Sequence, residues 1–332
     1  MTHTPILPSL PKVPENICMD ILGAERTEEM HRGFMQQIEA MAVLEGDLHK
    51  SNKPLSDDFK VLSWNLERCL FPEKAAELIE KHNPSVMLLS EMDSGMARTQ
   101  QVNTTAKLAE LLGMNYLYGL EFFEMDLGSE IEVTFCEDDY NQFGWHGNAI
   151  LTSAPIKEAK LIRLDDHGHW FCPQDNNTDA NQPRVGGRLA IAAIIEVDGQ
   201  DTCFVSTHLE SNATTKHRED QMMFLIKEVE AFAKNIPVLI AGDLNTGNHL
   251  PNADWTLETL FQKAEIKGYN WEHNAEGFTT NPSLITLHPE RQMKLDWFCI
   301  KQLTASNPQI VEPFDNETPL SDHKAISLTI HR

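Results

Sequence analysis

The stretch Pro237-Val-Leu-Ile-Ala-Gly-Asp-Leu-Asn-Thr246 decides how this chain is read. Its apolar run, Val238 to Ala241, has the length and composition of a strand buried on both faces. Gly242 ends the run and lets the backbone turn where a side chain would obstruct it. Asp243 and Asn245 follow two positions apart, so persisting strand geometry projects both from one face. A carboxylate and an amide there suit a hydrated metal or a phosphate, and they also suit a plain turn, where Asp, Asn and Gly abound. Other strand-like segments end the same way, which favours chemistry over a turn. Lys60 to Leu66 ends on Asn65 and Glu67, Ser85 to Ser90 on Glu91, and Thr202 to Thr207 on His208.

Working outward, residues 1–23 carry Pro5, Pro8, Pro11 and Pro14 and read as an extended arm. A helix is expected over 26–44, where Met30, Phe34, Ile38 and Met41 form an apolar stripe that packs on the main body. Residues 52–58 read as a linker, so 1–58 form an N-terminal arm, helix and linker ahead of a catalytic body at 59–332. Within that body, further strands are expected at 147–152, 159–164, 189–197, 295–300 and after 323, and helices over 72–82, 101–112, 216–234 and 256–267. Asp198-Gly199 marks a hairpin. Residues 121–140 hold eight acidic side chains and no Lys or Arg, and read as a long loop too polar for a core. Residues 165–187, rich in Asp, Asn, Gly and Pro, read as a second long loop. Strand–helix alternation early and hairpins in the middle argue against a simple doubly wound sheet. Two sheets stacked face to face, with helices outside, accommodate both.

A hydrophobic fraction of 41% and a charged fraction of 23% place the chain among ordinary globular proteins. No apolar run is long enough to span a bilayer. The opening residues, Met1-Thr-His-Thr-Pro-Ile-Leu-Pro8, lack the basic region and apolar block of a secretory signal, so a cytoplasmic location is expected. Cys18, Cys69, Cys136, Cys172, Cys203 and Cys299 are scattered without a C-x-x-C pair, which argues against a zinc site or a disulfide framework. The formal net charge is −23. Polyanion binding draws its affinity from Lys and Arg on phosphates, so this balance disfavours extended nucleic-acid binding.

Asn65, Glu91, His208, Asp243, Asn245, Asp296, Asp322 and His323 all fall at or beside strand ends. Oxygen donors with few nitrogens and no thiolate suit Mg²⁺ or Mn²⁺. Such a cation polarises a phosphoryl oxygen, while histidines hold phosphoryl oxygens or move protons. Together they describe phosphoester hydrolysis. His146 and Asn148, beside Gly147, lie near this set and are candidates for substrate contact. Arg184 and Arg188 flank Gly186-Gly187 and suit either a substrate phosphate or a surface role. Arg218 and Gln221 open a helix and are expected to tie it to a sheet. Asp165-Asp-His-Gly-His169 has the composition of a second metal site, although loop residues of this kind are ordinarily just solvated. Trp145, Trp170 and Phe171 either line a pocket or anchor loops.

The segments Trp64-Asn-Leu-Glu-Arg68, Leu88-Leu-Ser-Glu-Met-Asp93, His146-Gly-Asn-Ala-Ile-Leu151 and Ser206-Thr-His-Leu-Glu-Ser211 form an ordered series. Ala241-Gly-Asp-Leu-Asn-Thr246, Leu295-Asp-Trp-Phe298 and Ser321-Asp-His323 complete it. In this order, over residues 59–332, they resemble the endonuclease/exonuclease/phosphatase superfamily. That superfamily includes deoxyribonuclease-I-like and abasic-site nucleases, neutral sphingomyelinases and inositol polyphosphate phosphatases. The resemblance implies an α/β fold, a four-layered α/β/β/α sandwich of two packed mixed sheets with its active site at one edge. It further implies Glu91 as the main metal ligand, Asn65 assisting at metal and phosphate, and Asp243 orienting or deprotonating the attacking water. Asn245 would hold a phosphate oxygen, His323 the scissile phosphate, and His208 the phosphate or leaving group. Asp296 or Asp322 would orient His323 or complete the metal shell.

These features support a divalent-metal-dependent phosphodiesterase acting on a small phosphoester. A nuclease of the same superfamily is the alternative, disfavoured by acidity. An inactive binding scaffold is the least favoured, because every key side chain is present. No basic amphipathic helix suited to membrane docking is visible. Oligomeric state is not readable from the sequence.

Overall fold

Val238 to Ala241 do form a buried strand, and its neighbours in space set out the whole architecture. The computed structural model describes residues 3–172, 183–288 and 290–331. Among these the strands of the first half are β1 (Ile6–Leu7), β2 (Leu44–Asp47), β3 (Asp58–Arg68), β4 (Val86–Ser94), β5 (Asn115–Glu124), β6 (Trp145–Thr152), β7 (Ile156–Arg163) and β8 (Arg184–Gly186). They continue as β9 (Leu189–Val197), β10 (Gln200–His208), β11 (Val238–Asp243), β12 (Asp296–Lys301), β13 (Thr304–Val311), β14 (Phe314–Asp315), β15 (Thr318–Pro319) and β16 (Ala325–His331). The helices are α1 (Glu15–Gly23), α2 (Glu28–Gln37), α3 (Pro72–His82), α4 (Thr104–Leu112), α5 (Glu130–Val133), α6 (Thr215–Ala233) and α7 (Leu260–Ile266).

One mixed sheet runs β1-β2-β5-β6-β4-β3-β16-β13, with β8 added on β5, and a second runs β12-β11-β10-β9-β7. Three apolar cores separate four layers, as expected. Phe59, Val61, Leu88, Phe204, Leu239, Ala241 and Phe298 meet between the sheets. Trp64, Leu89 and Leu108 belong to the core under α1 to α4, and Val205, Ile240 and Leu225 to the core under α6 and α7. Among the described residues, no helix is long and apolar enough to cross a membrane.

The period-two alternation of strands sends alternate side chains to different cores and thereby aims the polar ends. In β11, Leu239 and Ala241 face the other sheet, so Asp243 does too. The same parity carries β10 from Phe204 to His208, β12 from Phe298 back to Asp296, and β3 from Val61 to Asn65. Register completes the placement: His208 pairs with Asp243, and Asp243 with Asp296, abreast on three neighbouring strands.

Three expectations need correction. The arm at 1–23 contains β1 and α1, and Leu10, Val13, Ile17 and Ile21 are buried in the helix-side core. The helix expected over 26–44 ends at Gln37; a 3₁₀ turn follows at Glu39–Ala42, and Leu44 begins β2, which pairs with β5. Residues 1–58 therefore supply two strands to the large sheet. The third correction concerns 121–140. Glu121 and Glu124 lie inside β5, fully buried, and Glu132 is buried on α5. Arginines make this possible, because a buried carboxylate persists when it is paired. Of the second long loop, 173–182 lie outside the described residues, and 184–186 form β8 against β5.

Arg218 and Gln221 have the structural duty expected of them. The Arg218 Nη2 lies 2.6 Å from Glu258 Oε1, both side chains at zero exposure, and its Nη1 donates to Ala213 O at 2.8 Å. Gln221 accepts from Glu210 N at 3.0 Å and donates to Asp165 at 2.6 Å, tying α6 to two loops. Arg218→Met leaves Glu258 buried and unpaired, so a loss of about 3 kcal/mol or more is expected. Urea denaturation measures it; a loss below about 0.5 kcal/mol, the range of surface substitutions, would contradict the buried pairing.

Candidate active site

Asp243 stands at the centre of a polar cluster between the carboxyl ends of β10 and β11 and the adjoining strands. Its Oδ1 accepts from Asn245 N at 2.8 Å. Its Oδ2 accepts from Asn65 Nδ2 at 3.2 Å and lies 3.5 Å from both His208 Nε2 and His323 Nε2. Asp243, His208 and His323 are each at most 3% exposed.

An acid stands behind each histidine. His323 Nδ1 is 2.8 Å from Asp296 Oδ2, and His208 Nδ1 is 3.6 Å from Glu121 Oε1. Burial works against charge on His323, but Asp296, Asp243 and Asp322 outweigh it and hold the imidazolium well above its ordinary pKa. Burial and Arg188 oppose charge on His208, and Glu121 and Asp243 again prevail, raising its pKa. Asp322 lies at the rim, 4.0 Å from His323 Nε2 and 3.5 Å from Arg291.

Glu91 reaches this cluster through an irregularity in β4. Val86 and Leu88 face the second sheet while Met87, Leu89 and Met92 face the helices, so the alternation skips at Glu91. Pairing of β4 shifts there against both β3 and β6, and Glu91 has φ +57°. Such a bulge re-aims a side chain. Asn65 Nδ2 donates to Glu91 Oε1 at 3.0 Å and thereby links it to Asp243. Arg68 Nη1 ion-pairs with Glu91 Oε2. Burial opposes ionisation of Glu91, but Arg68, His146 and His208 outweigh it and hold its carboxyl well below the usual range.

Several expected site residues are engaged differently. Arg188, proposed for substrate, is committed to Glu121 at 2.6 Å and Glu210 at 3.1 Å, and is buried. Arg184 lies 3.2 Å from Glu124 and is half-buried, while Arg188 is buried. His146 Nδ1 lies 2.9 Å from Asp93, itself chelated by Arg98 at 2.7 and 2.9 Å. Asn148 donates to Leu189 O at 3.1 Å across the two sheets. Asn245 spends both ends of its amide on protein, donating to Leu209 O at 3.0 Å and accepting from Asn248 at 2.6 Å. Trp145 and Phe171 are core residues, and Trp170 donates to Glu210 Oε2 at 3.1 Å.

Glu121, Glu210, Glu67 and Arg68 were not assigned from sequence. Glu210, Glu67 and Arg68 stand inside the quoted motifs, which carry their signal. Glu67 is buried and accepts from Ser283 and Thr286, both at 2.7 Å, and from Asp322 N at 3.1 Å. Burial and the neighbouring Asp322 push its pKa up to about 8.

The donor set fits a hard divalent cation. Asp243, Asp296 and His323 bring one potential donor atom each within 4.8 Å of one another. The two carboxylates suit a hard cation, while His323, held as an imidazolium, has no lone pair to offer it. Asp296 Oδ1 is buried without a hydrogen-bond partner, an acceptor left for a guest. Of the residues expected at a metal, Asn65 and Glu91 adjoin this group through Asp243, and Asp322 borders it.

A sandwich of two mixed sheets with an acid–histidine centre at its edge defines a recognisable class. The description of the Endonuclease/Exonuclease/phosphatase family matches residues 62–323, and the chain belongs to that family. Its members are generally hydrolases of phosphoester bonds and typically use divalent metals. YbhP, an uncharacterized protein of Escherichia coli K12, is 26% identical over 192 residues, covering 57% of this chain and 64% of YbhP. The match thus spans less than two thirds of that relative. Among solved structures, a Beutenbergia cavernae endonuclease/exonuclease/phosphatase covers 83% of this chain and 72% of its own, with TM-score 0.56 and 18% identity. The human Nocturnin catalytic domain with bound sulfate covers 82% and 93%, with TM-score 0.54 and 17% identity. Truncated Caenorhabditis elegans TDP2 covers 83% and 98%, with TM-score 0.51 and 17% identity. These likenesses are of fold.

Asp296 orients His323 and stabilises its charge, so Asp296→Asn should lower kcat on a phosphoester about a hundred-fold or more while the melting transition stays cooperative. An unchanged kcat would remove the Asp296–His323 pair from the chemistry.

Proposed function

We propose that this protein is a divalent-metal-dependent phosphoester hydrolase that acts on a small phosphoester, most readily a diester, by in-line attack of water. The convergence of Asn65, His208 and His323 on the Asp243 carboxylate carries this reading. Asp243 takes the proton from the attacking water. His323, held by Asp296, donates to the phosphoryl oxygens, and His208, held by Glu121, faces the leaving oxygen. Glu91 and Asn65, with Asp322 at the rim, would hold the cation, which when bound polarises a phosphoryl oxygen and offsets charge in the displacement.

Charge supports a small substrate over a polyanion. Glu132 of the acidic segment contacts Arg68, so that segment borders the site. Its Glu130, Glu137, Asp138 and Asp139 are exposed. They repel a long polyanion over about 8 Å at physiological salt.

The deciding experiment compares bis-p-nitrophenyl phosphate, p-nitrophenyl phosphate, plasmid DNA and a short RNA with Mg²⁺, Mn²⁺ or EDTA. Hydrolysis of the small diester, abolished by EDTA, with plasmid and RNA intact, is the expected result. Nicked plasmid or degraded RNA at low enzyme would make the protein a nuclease. Asp243→Asn should lose about 10²- to 10⁴-fold in kcat with the fold intact. Glu91→Ala should shift the Mg²⁺ dependence of the rate to higher concentration.

A further inference from the structure

Arg68 is the feature of the site that phosphoester hydrolysis, as described above, does not use. It follows Asn65 by three residues, at the point where β3 and β4 lose register. Glu67, Arg68 and Cys69 have φ of +42°, +76° and +56°, three successive non-glycine residues in the left-handed region. Opposite them Glu91 is left-handed as well, at φ +57°. Strain of this kind persists only where surrounding structure imposes it, and it gathers at functional sites. Here both bulges serve to bring one guanidinium onto one carboxylate.

On the proposed reading that carboxylate holds the cation, and Arg68 already covers its Oε2. The same guanidinium has a second anchor: its Nε lies 2.9 Å from Glu132 Oε1. Glu132 is itself fixed by Arg98 at 3.0 Å and by Ser129 N at 2.7 Å. Arg68 can therefore release Glu91 and remain at the site, pivoting on Glu132. It is also open to solvent in a way its neighbours are not. The Arg68 side chain is 16% exposed and that of Glu91 19%, against 0% for Arg98 and 6% for Arg188.

We infer that Arg68 occupies the cation's place on Glu91, yields it when a divalent metal binds, and turns its freed Nη groups to the substrate phosphate. A guanidinium left beside a newly arrived dication is repelled, and with its Nε kept by Glu132 its Nη donors form the planar fork that suits a phosphate. Arg68 is thus both a competitor for the metal site and a phosphate ligand. The inference rests on the hydrolase reading and adds a residue that sets how tightly metal binds before substrate arrives.

The test measures metal binding and turnover separately on the full chain. Mn²⁺ binding is followed by electron paramagnetic resonance and Mg²⁺ binding by calorimetry, both without substrate. Turnover is read with bis-p-nitrophenyl phosphate at saturating metal. Arg68→Met should bind Mn²⁺ at least ten-fold more tightly, because its competitor is gone. Its kcat should fall at least ten-fold, because the phosphate contact is gone. A residue that merely braced the site would weaken both together. Unchanged or weaker metal binding, or an undiminished kcat, would overturn the inference. Arg68→Lys keeps a charge and should fall between wild type and Arg68→Met in both readouts. If Arg68→Met does not fold, the arginine side-chain NMR signal of Arg68 in the unmodified protein decides. It must shift on Mg²⁺ addition, and a stationary signal would overturn the inference. Glu91→Gln separates the two levels: it should weaken metal binding at least ten-fold, and wild-type metal binding in that variant would overturn this inference, whereas turnover of bis-p-nitrophenyl phosphate that EDTA leaves unchanged would overturn the hydrolase reading.

Discussion

Carboxylates crowd the ends of the two sheets, and the fold stands because arginines answer them. Asp93, Glu121, Glu124, Glu132 and Glu210 are all buried, and each lies within ion-pair distance of an arginine. Arg98 alone meets Asp93, Glu124 and Glu132 at no exposure. Removing one member of such a set leaves a charge without solvent or partner, which costs far more than the pair itself contributes. The network therefore specifies geometry more than it adds stability. It fixes β5, α5 and the loop before β9 around the site, and the histidines inherit their orientation from it.

Around Asp243 the arrangement is close to symmetrical. His208 and His323 stand at the same distance from one carboxylate oxygen, each backed by its own acid. The backing differs in kind. Asp296 makes a short bond to His323, while Glu121 is drawn away from His208 by Arg188, which lies 2.6 Å from it. Arg188 also packs against the His208 ring at 2.9 Å. His323 is thus the more firmly charged of the two, and His208 the more poised to give up a proton. On the proposed reading, that difference suits a division in which His323 holds phosphate and His208 serves the leaving oxygen.

Alternation explains what was legible in the sequence. Val238 to Asp243, Thr202 to His208 and Lys60 to Asn65 are regular strands whose polar ends the sequence marks, and strict parity in the fold carries those ends to one face. Glu91 reaches the site for a different reason, because a bulge breaks that parity; the pattern marks it as a strand-end carboxylate, and parity alone would turn it toward the helices. The long loop at 121–140 was misread because burial of Glu121, Glu124 and Glu132 depends on arginines far away in sequence, and composition alone registers eight acids as solvated. Glu45 in β2 is a similar case: its carboxylate accepts from Leu10 N, Asn103 and Tyr116, partners that no local window contains. Pairing over long sequence separation is what a local pattern cannot carry.

The same correction sharpens the meaning of the chain's acidity. Of the acids in 121–140, Glu121, Glu124 and Glu132 are cancelled by the arginines that bury them, and they project little field toward an approaching ligand. The exposed Glu130, Glu137, Asp138 and Asp139 remain, on the flank that Glu132 ties to Arg68 and so to Glu91. Exposed charge acts over about a Debye length, near 8 Å at physiological salt. On the proposed reading, a compact phosphoester at the His208–His323 centre meets local cations, including the imidazoliums and Arg68, before that flank matters. A long polyanion must lie along the flank as well, and each additional phosphate adds repulsion instead of a contact. On the proposed reading, selectivity for small substrates is therefore set by where the acids lie and which of them are neutralised, with the net charge of −23 only its outward sign.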